Sequence, residues 1–368
     1  MRGRILTAAG TLALLLAVAG LLTTPAAGQA PGRGTAPAKA GALPRTPDGH
    51  PDLQGVYDIA WITPLERPAN TPLVLSDDEA GKLEGTAAQR RALGDAPIRG
   101  DRSAPPVGGD GSTGAAGGVG GYNTFWIDPG TRYVRVDGQK RSSLIIDPAD
   151  GRVPAMTTEA QARVARVVRP TSDENERPDP GLETAPGAYD NPERRPLGER
   201  CLMGFGSTSG PPALPVLYNN LHQIVQTPQY IMLFNEMVHD ARIIRMNSEH
   251  LPKEVRKWMG DSIGRWEGDT LVVDTTNFTD KTRFRGATEN LHVVERFTRV
   301  DANTLMYRFT VDDPATWVRP WTAEYPWPAT KTNIYEYACH EANYALENIL
   351  RGARQRDREQ AAKKQTNK

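Results

Sequence analysis

Apolar residues recur at every second position along several short runs of the chain. In one run, Leu305, Tyr307, Phe309 and Val311 share one face. A period of two is typical of a strand with one buried face. Further runs, bounded by turn residues, lie at 133–136, 142–146, 221–226, 230–238, 242–246, 271–275, 291–300, 317–325 and 334–339. The pattern predicts a mainly β fold, an antiparallel barrel or sandwich.

Helical patterns are few and short. Ser76-Asp-Asp-Glu79 has the spacing of a capping box and predicts the start of a helix. Shorter helices are predicted at 158–168, 251–258 and 341–352. Pro- and Gly-rich stretches at 95–121 and 169–199 predict long loops between these elements.

The N-terminus has the order of a secretory signal. Arg2 and Arg4 precede the apolar run Ile5–Leu22, and small residues follow it. Cleavage after Gly28 fits best. The alternative is an uncleaved anchor, because the run is long enough to span a bilayer. No second long apolar run follows, so we expect no multispan membrane protein.

Composition divides the remainder of the chain. We expect a flexible linker at 29–48, and hairpins, helices and long loops packed on the core at 49–199. A barrel-like core at 200–352 and a disordered, charged tail at 353–368 complete the predicted organisation.

Charge excludes one class of partner. The chain has 44 basic and 44 acidic residues, and loss of the signal would leave a net charge of about −2. There is no basic patch for nucleic acid. The partner expected is a small molecule, with no cofactor and no membrane span after cleavage.

Cys201 and Cys339 are the only cysteines. A pair in an exported protein most often forms a disulfide, which favours a periplasmic or secreted location. A reactive thiol or a metal ligand is the alternative, because His340 is adjacent.

Three stretches resemble an uncharacterised family of exported bacterial proteins: Thr46–Val56 (TPDGHPDLQGV), Arg265–Phe278 (RWEGDTLVVDTTNF) and Leu291–Val300 (LHVVERFTRV). Tyr57 stands where the family pattern has Trp, and Arg245 where it has Pro. The resemblance covers most of 46–352 and implies no catalytic assignment. Gly55-Val-Tyr57 also resembles the Gly-x-Trp opening of lipocalin-type barrels, which implies a lipocalin-like barrel.

Two carboxylates are candidates for acid/base chemistry. Glu295 shares a strand face with Val293 and Phe297, and Glu236 lies on an apolar strand. A carboxyl group in an apolar interior must find a partner or take up a proton. The alternative for Glu295 is an internal salt bridge with a buried arginine, such as Arg242 or Arg319.

Three histidines complete the catalytic candidates: His239 at a strand end, His292, and His340 beside a half-cystine. His292 faces away from Glu295, so the two share a lumen only across a bulge. No dense metal-ligand motif occurs, and we expect no metal.

Aromatic residues cluster late in the chain: Trp317, Trp321, Tyr325 and Trp327. They are candidates to line a ligand pocket, and the alternative is core packing. The leading hypothesis is an exported small-molecule-binding barrel. The alternatives are a secreted acid/base hydrolase, lyase or isomerase for a small or glycosidic substrate, and an envelope-associated structural protein.

Overall fold

The structure, a computed structural model, describes residues 43–94, 127–167, 188–204, 210–282, 284–341 and 343–366. The predicted signal peptide, the Gly-rich loop at 95–121 and most of 169–199 lie outside these residues. The described helices are α1 (Asp77–Gly94), α2 (Thr158–Val167) and α3 (Tyr344–Thr366). None of them is long and apolar enough to cross a membrane.

Thirteen strands form two sheets within the described residues. They are β1 (Gly55–Asp58), β2 (Val74–Leu75), β3 (Arg135–Val136), β4 (Gln139–Arg141), β5 (Ile145–Asp147), β6 (Leu221–Gln226), β7 (Tyr230–Asn235), β8 (Ala241–Met246), β9 (Asp261–Glu267), β10 (Thr270–Thr276), β11 (His292–Asp301), β12 (Thr304–Asp312) and β13 (Trp321–Thr330). A small sheet has the order β2-β4-β3.

The large sheet closes into a barrel of nine strands in the order β1-β6-β7-β8-β9-β10-β11-β12-β13, with β13 paired back to β1. The predicted mainly β barrel is confirmed. The expectation of a wholly antiparallel sheet is wrong at one pair, because β8 and β9 run parallel, with Ile244 opposite Ser262. The connection at 247–260 returns the chain to the starting end of β8, as a parallel pair requires.

The region 49–199 contributes one strand, β1, to the barrel wall itself, in addition to elements that pack on the barrel. In β1, Tyr57 is opposite His222 of β6 and Ala329 of β13. These four residues of β1 join the two strands that would otherwise be edges. The barrel is therefore assembled from both predicted regions, 49–199 and 200–352.

Strand β13 begins later than the predicted run at 317–325 and contains two prolines. Ala329 donates its N–H to Asn303 O next to β12, whereas Glu324 donates to Leu144 O on the other side. By this alternation Pro326 and Pro328 would also face away from β12. That side pairs with β5 and β1 only near the two ends of β13, so the prolines remove no ladder bond. The strand predicted at 334–339 is absent, and that segment is irregular.

Local signals near the helices are mostly confirmed. Ser76 and Glu79 exchange side-chain hydrogen bonds with each other's N–H at 3.2 Å, which is the predicted capping box. Helix α3 continues through the predicted tail to Thr366. The helix predicted at 251–258 is wrong: Pro252 lies in it, and the Leu251 N–H donates to Asp261, so this segment is held to the sheet instead.

Residues 43–50, partly inside the predicted linker, pack on the barrel. Arg45 pairs with Asp269 at 2.6 Å, and the His50 ring stacks on Trp266 with centroids 4.6 Å apart. These contacts fix the chain ahead of β1.

The barrel interior is filled by side chains. Trp321, Tyr325 and Trp327 of β13 are fully buried, as are Tyr307 and Phe309 of β12. A barrel of about eight strands encloses a space that side chains just fill. The middle of this barrel is accordingly a packed core.

Candidate functional site

A buried ion pair crosses the barrel interior. Glu295 of β11 is fully buried, and both of its carboxylate oxygens accept hydrogen bonds from the Arg242 guanidinium, one of them at 2.9 Å. Tyr307 donates its hydroxyl to Glu295 Oε1 at 2.7 Å. Glu295 therefore lies on the interior face and is paired with Arg242, whereas Arg319 pairs with Asp147 on the surface. We call Glu295, Arg242 and Tyr307 the interior triad.

An irregular segment, Gly210–Leu214, lies inside the barrel next to the triad; we call it the plug. All five of its residues are buried. The Ala213 N–H donates to the Tyr307 hydroxyl at 3.1 Å, and the Tyr325 hydroxyl donates to Ala213 O at 2.8 Å. Two tyrosines thus bind the backbone of one plug residue.

The two tyrosine hydroxyls have fixed roles. Burial, followed by the nearby negative charge of Glu295, raises the pKa of Tyr307 well above its usual range. Burial likewise raises the pKa of Tyr325. Both hydroxyls therefore keep their protons near neutral pH. Because the Tyr307 hydroxyl donates its hydrogen bond to Glu295, its oxygen accepts from the Ala213 N–H, while the Tyr325 hydroxyl donates to Ala213 O.

His222 of β6 is an interior histidine that was not among the sequence candidates. Its Nδ1 is 2.6 Å from Asn235 Oδ1, and its ring lies 4.8 Å from Trp327. Burial lowers the pKa of His222 to about 4. The sequence does not indicate that this histidine is buried and paired, because its partner lies on the neighbouring strand.

Glu236 lies at the barrel end where β7 finishes and β6 begins; we call this end the rim. It is 4 % exposed and accepts the Tyr335 N–H at 3.1 Å. Burial raises the pKa of Glu236, and the nearby charge of Asp58 adds to the rise. A hydrogen bond from the Asn219 side chain opposes it. Burial also raises the pKa of Asp58, which was not among the sequence candidates.

The disulfide Cys201–Cys339 is present, as predicted, with Cα atoms 5.7 Å apart. It joins the segment before the plug to the irregular segment after β13. Between these segments lies an open groove of about 490 Å³, which we call the rim groove. Its lining residues include Glu199, Tyr218, Asn219, Glu336, Tyr337 and Cys339.

Two tyrosines give the rim groove its shape. The rings of Tyr218 and Tyr337 are nearly parallel, 6° apart in plane, with centroids 6.4 Å apart. Asn219, beside Tyr218, contacts Glu236 behind the groove. Glu199 is held by Arg195, with a 2.8 Å contact. The groove thus has aromatic faces and a carboxylate edge.

The other predicted site residues do not meet at one place. His292 lies on the outer face of β11, where its Nε2 is 3.1 Å from Asp274. His340 is exposed near the disulfide, and the side chain of His239 lies outside what the structure describes. No group of metal-ligating side chains occurs among the described residues.

The predicted ligand-binding aromatics are all in the core. Trp317 is 2 % exposed, and Trp321, Tyr325 and Trp327 are fully buried. Trp317 packs edge-to-face on Trp321, and Tyr325 packs on Trp327 and donates a hydrogen bond to the plug. A ligand-binding role for them stays a prediction.

Comparisons with known proteins give no further guide to the site. No family model, curated protein or solved structure matches the chain. The resemblance to a family of exported bacterial proteins, and that to lipocalins beyond a shared barrel, stay predictions.

Proposed function

We propose that the protein is exported and binds a small molecule in the rim groove. The observation that carries the proposal is an open groove of about 490 Å³ with two near-parallel tyrosines on a barrel whose middle is filled. Small-molecule sites are concave, of this size and lined by aromatic groups with a few polar ones. A ligand inside the barrel would have to displace packed side chains, whereas the groove is open.

Two features support export to the periplasm or the medium. Cys201 and Cys339 form a disulfide, and disulfides form and persist in oxidising compartments. Residues 1–28 have the basic, apolar and small-residue order of a secretory signal.

The groove chemistry favours a ligand with a flat apolar face and hydroxyl or amine donors. The ring faces of Tyr218 and Tyr337 offer apolar contact, and sugars or aromatic rings stack on such faces. Glu336 and Glu341 at the groove supply acceptors. A glycoside with an aromatic aglycone has both properties.

The test is a binding screen of aryl glycosides and small aromatic compounds, followed by calorimetry on variants. Tyr218→Ala should weaken the best ligand at least tenfold, because it removes one ring of the pair. Tyr230→Ala is the matched control, since Tyr230 is an exposed tyrosine on the barrel wall. A ligand that binds Tyr218→Ala and Tyr337→Ala as tightly as the unchanged protein would contradict the proposal.

A second candidate function, acid/base catalysis at the rim, is favoured by the raised pKa of Glu236 and of Asp58. A raised pKa suits a carboxyl group that must donate a proton near neutral pH. Glu236 is linked to the groove through Asn219, which lines it. Hydrolysis of any aryl glycoside or ester should then fall at least a hundredfold in Glu236→Gln with binding retained. Unchanged turnover in that variant would exclude this role.

A further inference from the structure

The side chains that line the rim groove carry negative charge without a matching positive charge. Glu199, Glu336 and Glu341 are carboxylates, and none of the described lining residues is a lysine, an arginine or a histidine. We propose that the ligand of the rim groove is an organic cation of the quaternary ammonium class, whose charged group lies against the two tyrosine rings. The inference rests on the proposed function, because it names the class of ligand for the same groove.

The net charge of the groove depends on which carboxylates are already paired. The Arg195 guanidinium donates two hydrogen bonds to Glu199, at 2.9 and 2.8 Å, so the charge of that carboxylate is offset. Glu336 and Glu341 are exposed, and neither forms an ion pair with another described residue. Two uncompensated negative charges at one concave surface attract cations and repel anions.

The two tyrosine rings add an attraction that is specific to cations. The face of an aromatic ring carries partial negative charge and attracts a cation within about 6 Å of the ring centroid. The centroids of Tyr218 and Tyr337 are 6.4 Å apart, and the ring planes differ by 6°. A single ammonium group can therefore lie within this range of both rings at once.

The backbone holds both rings in place before a ligand binds. The Asn220 side chain closes the turn that carries Tyr218, because it accepts the Val216 N–H at 2.8 Å and donates to Val216 O at 2.9 Å. Tyr337 lies two residues before the half-cystine Cys339, whose N–H donates to Tyr337 O at 2.9 Å. Because the groove is preorganised in this way, ligand binding costs little conformational entropy.

The apolar side of the groove favours an organic cation over a metal ion. Helix α3 lines the groove with Ala345, Leu346 and Ile349. These side chains offer contacts to methyl groups and no ligands to a metal. A metal ion needs several oxygen or nitrogen ligands around one point, and the part of the chain that the structure describes contains no such group. A quaternary ammonium group, whose charge is surrounded by carbon, fits both the apolar and the acidic side.

The test compares two compounds of the same shape that differ in charge, 4-hydroxyphenyltrimethylammonium and 4-tert-butylphenol. Calorimetry on the full-length protein should show that the cation binds about tenfold more tightly, because each ring face and each exposed carboxylate adds a few-fold in affinity. Raising sodium chloride from about 50 to about 500 mM should weaken the cation and leave the neutral compound unchanged, because salt screens exposed charges.

Variants assign the preference to residues of the groove. Glu336→Gln combined with Glu341→Gln should weaken the cation about fivefold and leave the neutral compound unchanged. Glu249→Gln combined with Glu254→Gln is the matched control, since it removes the same charge from two exposed carboxylates outside the groove. Tyr218→Leu keeps an apolar side chain and removes one ring face, so it should weaken the cation more than the neutral compound.

The outcomes separate this inference from the proposed function. Equal affinity for the two compounds, reduced in Tyr218→Leu, overturns the cationic ligand and still supports a small-molecule site in the groove. An equal loss in the control variant and in the groove variant also overturns the cationic ligand. If neither compound binds, but an aryl glycoside binds and requires Tyr218, the cationic ligand fails and the proposed function stands. If no compound and no glycoside requires the Tyr218 ring, both fail.

Discussion

His222 and His292 lie on opposite faces of the barrel wall, and their environments shift the pKa in opposite directions. A hydrogen bond to Asp274 raises the pKa of His292 above 6.5. That bond stabilises the fold below pH 6.5 and loses its effect as the pH rises through the raised value. Among the described residues His222 pairs with the amide of Asn235 and with no carboxylate, and burial lowers its pKa to about 4. Its neutral form is the one that the fold accommodates.

The pH dependence of the free energy of unfolding should show that His222 is buried in its neutral form. Between pH 6.5 and about 4 the unfolded chain protonates this histidine and the folded protein does not, so acidification favours unfolding. The loss is about 3 kcal/mol over this interval. His222→Phe should lower the free energy of unfolding at neutral pH, because Asn235 loses its partner, and should remove that part of the slope. Denaturant titrations across the interval measure it.

The exposed His340 supplies the control for this prediction. His340→Ala should keep the slope of the unchanged protein, because its side chain is in solvent in both states. If His222→Phe loses as much stability on acidification as the unchanged protein, burial of a neutral His222 is not the cause.

At the scale of elements, the features that the sequence predicts correctly are those that depend on local signals. The Ser76–Glu79 capping box depends on residues three positions apart. The run at 242–246 predicts strand β8, but no local pattern predicts strand β9, its parallel pairing with β8, or the plug, because these depend on contacts across the molecule. For Glu295 the pattern predicts an inward carboxylate, and Arg242 was one of its possible partners. The sequence pattern does not identify Asp58 and His222 as site candidates, because the residues that surround them lie on neighbouring strands.

Strand β13 allows a test of where proline is tolerated. Ala329→Pro should destabilise the protein by about 1–3 kcal/mol, because it removes the N–H that Asn303 O accepts. Pro328→Ala, one position away, should change stability little, since Pro328 has no N–H to lose and its nitrogen, by the same alternation, faces away from β12. Both are measured by guanidinium denaturation. Equal effects of the two substitutions would contradict the hydrogen-bond alternation described for β13.

At the scale of the whole molecule, barrel closure depends on the four residues of β1. Without them β6 and β13 would expose unpaired N–H and C=O groups, and such edges pair with other chains. The disulfide adds a second long-range connection, from Cys201 to Cys339, but on the rim side of the sheet. The two connections hold different parts: β1 closes the wall, and the disulfide joins the segments around the rim groove.

Removal of β1 should therefore open the barrel while the disulfide stays intact. A chain of residues 59–368 should elute as soluble aggregate in size-exclusion chromatography, whereas 43–368 should elute as a discrete species with native near-ultraviolet circular dichroism. A synthetic peptide of residues 51–61 added during refolding should restore the native spectrum of the shorter chain, because it can add a strand between β6 and β13. A shorter chain that folds alone, with the spectrum of 43–368, would mean that the wall closes by direct pairing of β6 with β13. The peptide would then have no effect, since no edge would remain for it to join.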